Sequence, residues 1–300
     1  MANTTVDQAP ADAATEDKNA EAVAATKRAK RLGVSFWLPV GWLSLVGSAA
    51  VFANWLGLPD PGDADFLSIQ SPPSVEHWFG TDVLGRDILT RIVYGARVSL
   101  TVGFCAPLIG MFFGLILGLL AGYYRGRVEA MIVSTMDTVL ALPALVVLLL
   151  FSAIFGGSLT TVSVGLGLLF IPAFARVSRA NTLNFAEREF VLAARAMGAG
   201  DFYIIVREIL PNVVLPVIAF ALVAVATAIV VEGALSFLGL SVPSPTPSWG
   251  GMIAEGREHL QETPHISFVP ATVMFLTVLS FNLVGDTLRS RIADVRESAI

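Results

Sequence analysis

Five stretches of this chain run without a charged side chain for long enough to cross a lipid bilayer. They are Leu32 to Pro59 (28 residues), Val98 to Tyr124 (27), Thr138 to Ala175 (38), Ile209 to Val231 (23) and Ile266 to Gly285 (20). A hydrocarbon core of about 30 Å takes about 20 residues of helix. The 38-residue stretch exceeds one span and contains Gly156, Gly157 and Ser158, a turn signal that lets it cross and return. Six transmembrane helices are therefore expected. A further uncharged stretch, Gly233 to Ala254, is broken by Pro243, Pro245 and Pro247 and reads as a loop outside lipid. Only 14% of the residues are charged and 55% are hydrophobic, against roughly 25% charged in soluble domains. Too few charges remain to clothe a water-facing surface, which excludes a soluble globular enzyme.

An even number of spans puts both termini on one side, and basic residues near short loops are retained in the cytoplasm. Fifteen of the 19 Lys and Arg fall on one face: the N-terminal tail, the connections after the second and fourth spans, and the C-terminal tail. The other face has Arg86, Arg91, Arg97 and Arg257. Both termini are expected in the cytoplasm. Residues 1–31 lack apolar periodicity and a cleavage pattern, so they read as a disordered cytoplasmic tail. All three lysines, Lys18, Lys27 and Lys30, lie there. A phosphate-binding loop ending in Gly, Lys and Ser or Thr therefore cannot exist in the folded part, and any ATP that drives this chain is hydrolysed by another. The single cysteine, Cys105, lies within a span, excludes an intrachain disulfide or a Cys-based metal cage, and reads as apolar packing.

The connection between the fourth and fifth spans, residues 176–211, is long for a membrane protein. Arg188 to Met197 places Phe190, Ala193, Ala194 and Met197 on one helical face, with Gly198 where a left-handed cap is needed. A second short helix can start at Asp201 as N-cap and run through Phe202, Ile205 and Ile209 until Pro211 stops its regular entry into the fifth span. The product is a helical hairpin with small residues at its tip and apolar Phe202, Tyr203 and Ile205 beside it. It serves either as a protein docking element or as an interfacial connector on the headgroups.

The run LAARAMGAGDFYIIVREILPN resembles the signature loop of the membrane subunits of ATP-binding-cassette importers, where a coupling helix docks in a cleft of the ATPase subunit. Ala193, Ala194, Gly198, Leu210 and Pro211 match the pattern, and Arg195 and Asp201 fall within it; Leu192 and Glu208 stand where the family often has an acidic residue and an Ile or His. Further segments are similar to the dipeptide, oligopeptide and nickel branch, particularly its second membrane subunit: His77 to Leu100, LSFLGL at Leu235 to Leu240, Pro245 to Arg257, and Phe281 to Arg289. The resemblance implies an all-α integral membrane protein with the type I importer permease fold (MetI-like). It also implies a second permease chain in a pseudo-symmetric heterodimer, two ATPase subunits using ATP and Mg, an external solute-binding protein, and a bacterial inner-membrane location. The chain itself would carry no catalytic residue, cofactor or metal, and nucleic acid is no partner. The domains on this reading are the tail (1–31), the first span with an external amphipathic segment (32–97), a five-helix core (98–290) holding the coupling loop, and a short tail (291–300).

Several residues keep two readings. The segment from Thr81 to Arg97 has Leu84, Ile88 and Ile92 at helical spacing and Asp87 four residues before Arg91, which suggests an amphipathic helix with an internal ion pair. The resemblance implies instead that this segment and the Pro245 to Arg257 loop form a platform for the binding protein, with Trp78, Asp82, Arg86, Trp249 and Arg257 as candidates; both tryptophans also suit the bilayer interface. An acidic group at a span centre costs roughly 2.5 to 3.5 kcal/mol on insertion scales. Glu232, near an outer end, is thus a candidate either for the translocation path or for a structural hydrogen bond. Gly110, Gly114 and Gly118 line one helical face and suit close packing, while Pro107 and Pro143 suit kinks. The scattered His77, His259 and His265 read as solvated. The expected function is import of a small solute, most readily di- or oligopeptides. The alternatives are a nickel or other small-solute importer subunit, a self-contained secondary transporter or channel, for which coupling ionisable groups and paired broken helices are missing, and a scaffold recruiting a soluble partner.

Overall fold

A computed structural model of the chain describes residues 33–297. The expected N-terminal tail and the last three residues lie outside them. From Pro39 on, the described residues form one compact unit. The helices are α1 (Val34–Phe52), α2 (Ile88–Tyr124), α3 (Gly126–Leu140), α4 (Ala144–Phe155), α5 (Leu159–Ala186), α6 (Glu189–Ala196), α7 (Asp201–Phe237), α8 (Trp249–Gly256) and α9 (His265–Glu297). Among the described residues the only β-like feature is an isolated bridge between Thr81 and Asp87. Helix starts follow capping chemistry: the side chains of Asp87, Ser158 and Ser248 accept the backbone N–H of Thr90, Thr161 and Gly251.

Among the described residues, five helices are long and apolar enough to cross a membrane. The expected third span differs, because α3 and α4 meet at an 80° bend and make a sixth crossing only if taken together. Pro143 is the cause, since a residue before proline is pushed out of the helical region and Pro143 itself has ψ 110°. The 12 residues of α4 reach about 18 Å, short of the hydrocarbon thickness. No residue of α3 is buried; Asp137 and Glu129 bond Arg176 (2.6 Å) and Arg179 of α5. Pro107, by contrast, sits inside a continuous α2.

The centre of the bundle is the pair α2 and α5, whose backbones touch. A Cβ built at Gly110 would lie 2.5 Å from the Cβ of Phe170, and one at Gly114 2.5 Å from the Cβ of Phe174 and 2.8 Å from the backbone N of Ala175. Gly118 and Gly122 meet Ser178 and Thr182 in the same way. Packing, the plainer reading of this glycine row, is what the structure shows. Around the pair, α7 contributes Val213, Val217 and Ala224 on one side and Ala228 and Leu235 on another. Residues of α1, α8 and α9 close a further cluster through Val46, Ala50, Trp249 and Phe281. Arg97 of α2 donates to the Ala50 carbonyl and to Asn54 Oδ1 (2.9 Å), tying α1 to the bundle. Cys105 is exposed and not the packing residue expected, because it lies on the outward face of α2.

Replacing Gly114 with Val should push α2 from α5, at an overpacking cost of about 1–3 kcal/mol. The midpoint of thermal unfolding in mild detergent should fall, whereas Gly47→Ala, with nothing within 4 Å of its added methyl, should not lower it.

Candidate functional site: the hairpin between α5 and α7

The helical hairpin forms as its sequence suggests at the tip. After α6 the chain turns through Gly198 at φ +85°, the left-handed value that L side chains adopt at a cost of roughly 1–2 kcal/mol. Gly198 N–H bonds the Arg195 carbonyl (3.0 Å) and Ala199 N–H the Ala194 carbonyl (3.1 Å), satisfying carbonyls that a helix end leaves open. The inward face is Val191 and Ala194, buried with Ile204, Ile209, Leu119 and Phe174 in one core cluster. Phe190, Ala193 and Met197, expected with Ala194 on one face, remain outside. Helical rotation of 100° per residue separates position 191 from 190, and the apolar cluster takes Val191.

The second arm departs from expectation at its start. Gly200 occupies the N-cap position and Asp201 is the first helical residue, with no capping bond from its side chain. At the other end, entry into the fifth span is not regular, as Pro211 suggests, although the helix does not end there. The stretch Ile204–Ile209 widens into a π-helical turn in which Leu210 N–H bonds the Ile205 carbonyl five residues back. That wider turn makes room for a ring that would otherwise strike a carbonyl one turn earlier, and α7 continues to Phe237. Leu210 packs at the edge of the core cluster.

Outside, the hairpin presents an apolar knuckle. Met197 is 83% and Phe202 80% exposed, beside a shallow depression of about 400 Å³ lined by Ala194, Gly198, Ala199, Gly200, Tyr203 and Glu208. One residue missing from the sequence reading, Tyr123 at the end of α2, meets both arms. Its hydroxyl donates to Asp201 Oδ1 (2.7 Å) and accepts from Arg195 Nη2 (3.3 Å), and the Arg195 guanidinium lies over its ring at 5.6 Å. Arg125 and Glu187 add an ion pair beside it (2.8 Å). No periodicity could have exposed this contact, since the partners are about 70 to 80 positions apart in sequence.

At the opposite end of the bundle the candidate platform residues separate. Asp82 and Arg86 are buried, joined at 2.7 Å, and belong to a quartet with Arg91 and Glu255. Arg86 and Arg91 both reach Glu255 Oε2 at 2.9 Å, and Arg91 Nη1 lies 3.1 Å from Asp82 Oδ2. Burial pushes the Glu255 carboxyl above its ordinary range, with the Arg86 guanidinium pulling the other way. The expected Asp87–Arg91 pair is replaced: Asp87 caps α2 and bonds His77 Nδ1 (3.1 Å). Nor is the 81–97 segment a separate helix, because α2 starts at Ile88 and runs unbroken into its span. Trp249 is fully buried, its indole N–H donating to the Ile92 carbonyl (3.1 Å), so it is neither an interface anchor nor a surface contact. Trp78 stays 69% exposed, and Arg257 stays exposed over the Phe237 ring at 5.3 Å.

Glu232 is also internal. Its carboxylate accepts from Ser236 (2.6 Å), Ser241 (3.1 Å) and Ser99 (3.1 Å), and Ser236 meets Ser248 at 3.0 Å. This network stitches α2, α7 and the Pro-rich loop together, and it is the structural one of the two readings that the geometry displays. Among the described residues, no group of three or more His, Cys, Asp or Glu is placed to hold a metal ion. His77, His259 and His265 do not converge: His259 faces Gln70 Nε2 (3.3 Å), and His265 lies against Gly80.

The family model described as binding-protein-dependent transport system inner membrane component matches residues 114–294, a region that includes the hairpin and the spans that hold it. The chain belongs to this family. Relatives of this inner membrane component include the glutathione transport system permease protein GsiD of Pectobacterium atrosepticum, 41% identical over 241 residues, 79% of this chain and 80% of that one. GsiD of Escherichia coli is 41% identical over 244 residues, 80% of each chain. Among solved structures, the MetNI methionine ABC transporter in inward-facing conformations aligns at TM-score 0.55 and 18% identity, over 67% of this chain and 96% of that chain. That likeness establishes the importer permease fold.

Two substitutions test the geometry of this permease. Arg91→Ala, which leaves Asp82 and Glu255 to share Arg86 alone, should cost about 3 kcal/mol, read as a lowered unfolding midpoint. Glu232→Ala, leaving hydroxyls without their acceptor, should lower stability by about 1–3 kcal/mol while uptake per folded molecule stays constant. A fall in uptake with stability intact would put Glu232 on the solute path.

Proposed function

We propose that this permease is one of two membrane-spanning subunits of an ATP-driven importer for peptide-like solutes. The observation that carries the proposal is the hairpin: a rigid, capped turn fastened to the central helix pair, with an apolar knuckle of Met197 and Phe202 left for a partner to cover. A second, similar permease chain forms the other half of the path. Two ATPase subunits that bind ATP and Mg dock at the hairpins, and an external binding protein delivers the solute. Both termini and the hairpin face the cytoplasm, a reading supported by the excess of Arg at that end. The Trp78 and Arg257 end faces the binding protein, with Asp82, Arg86 and Trp249 bracing that end from within. Glutathione, named in relatives sharing about four tenths of their residues with this chain, is itself a short peptide, which favours peptides over nickel.

The chain carries out no chemistry. Its work is mechanical: closure of the ATPase pair moves the hairpins as rigid bodies and re-orients the path between the two permeases. Ala193, Arg195 and the tip around Gly198 make the contact, while Ala194 and Leu210 hold it to the bundle.

Gly198→Val places a β-branched residue at φ +85° and should distort the tip while leaving membrane insertion intact. In vesicles containing the whole importer, ATP hydrolysis should continue and solute uptake should fall. Normal uptake would count against the hairpin as the coupling element.

A further inference from the structure

The apolar contacts that hold the hairpin are broad and without direction: Val191, Ala194, Ile204 and Ile209 lie against Leu119 and Phe174. Such packing resists separation but permits rocking or sliding, since it depends on area and not on alignment. Direction comes from hydrogen bonds, and bonds from both arms meet at the phenol of Tyr123. Its hydroxyl gives its proton to Asp201 on the second arm and takes one from Arg195 on the first. A hydroxyl is suited to this because it donates and accepts at once.

The position of Tyr123 adds to this. It is the penultimate residue of α2, which runs 37 residues to Ile88. At its other end, α2 carries Arg91 in the buried quartet with Glu255 of α8. Between the two ends, Gly110, Gly114, Gly118 and Gly122 seat α2 directly on α5. The helix is thus clasped at one end to the hairpin and at the other to the face where the binding protein is placed.

We propose that Tyr123 is a positioning residue that makes the hairpin and α2 move as one body, so that displacement of the hairpin reaches the far end of the bundle. The hydroxyl touches neither ATP nor solute and acts through Arg195 and Asp201. The proposal rests on the importer reading above, deepening it by naming the joint through which motion leaves the hairpin.

Two measurements test it. In the purified chain in detergent, with Cys105 replaced by Ser, spin labels at M197C on the hairpin and I116C on the outward face of α2 should give a narrow distance distribution that broadens when Tyr123→Phe is added. An unchanged width overturns the proposal, whatever the partners of the chain prove to be. In the complete complex reconstituted with its binding protein, and with glutathione as the probe, Tyr123→Phe should lower solute moved per ATP about ten-fold, within the usual range of coupling between sites. Hydrolysis and the unfolding midpoint should stay near wild type. Asp201→Ala, which removes the acceptor of the phenol, should do the same, and the double variant should be no worse than either single one, since both remove one interaction. Additive losses, or coupling retained in Tyr123→Phe, overturn it. A wild-type complex that lacks an ATPase overturns the importer reading alone, leaving the spin-label result to judge the joint.

Discussion

Everything in this bundle is arranged around the direct approach of two helix backbones. Glycine at every fourth position removes the side chains that would hold α2 and α5 apart, and Phe174, Ser178 and Thr182 fill the space left. In lipid there is little hydrophobic drive between helices, so close van der Waals contact is what makes two spans associate. Once that pair is set, α7 has a groove to fill, and α1, α8 and α9 pack outside it. The hairpin gains its seat from the same pair, because Leu119 and Phe174 belong to the two paired helices and also form the floor under Val191 and Ile204.

The two ends of the bundle solve different problems. At the hairpin end the polar groups are exposed and bond one another loosely: Arg125 with Glu187, and Arg195 and Asp201 with Tyr123. At the other end they are withdrawn. Asp82, Arg86, Arg91 and Glu255 balance their charges among themselves, and Glu232 is enclosed by serine hydroxyls. A buried charge without its partner is costly, so those contacts fix α8 and the loop before it in one arrangement. The first end is suited to moving as a piece, the second to staying fixed.

Much of this was legible in the sequence. Uncharged length predicts the spans, the glycine row their packing, and Gly198 the turn, because each is a local property of consecutive or helically spaced residues. What escaped depends on distant partners or on how two local rules compete. The i,i+4 rule paired Asp87 with Arg91, yet Asp87 was needed as a helix cap and Arg91 found Glu255, 164 positions away. Trp249 had the look of an interface residue but fills the core, since its indole N–H finds the Ile92 carbonyl. A six-span count treats the third crossing as straight, and Pro143 breaks it.

The wide turn at Ile204–Ile209 has a consequence for how such chains vary. A π-helical turn holds one residue more than the regular turn it replaces, with the helix on either side keeping its facing. The hairpin is therefore joined to its span by a segment that stores one residue of slack. Length can change there by a single position without turning Phe202 off the outer face of the hairpin or Val213 away from the core, whereas the same change on either side of it would rotate one against the other by about 100°.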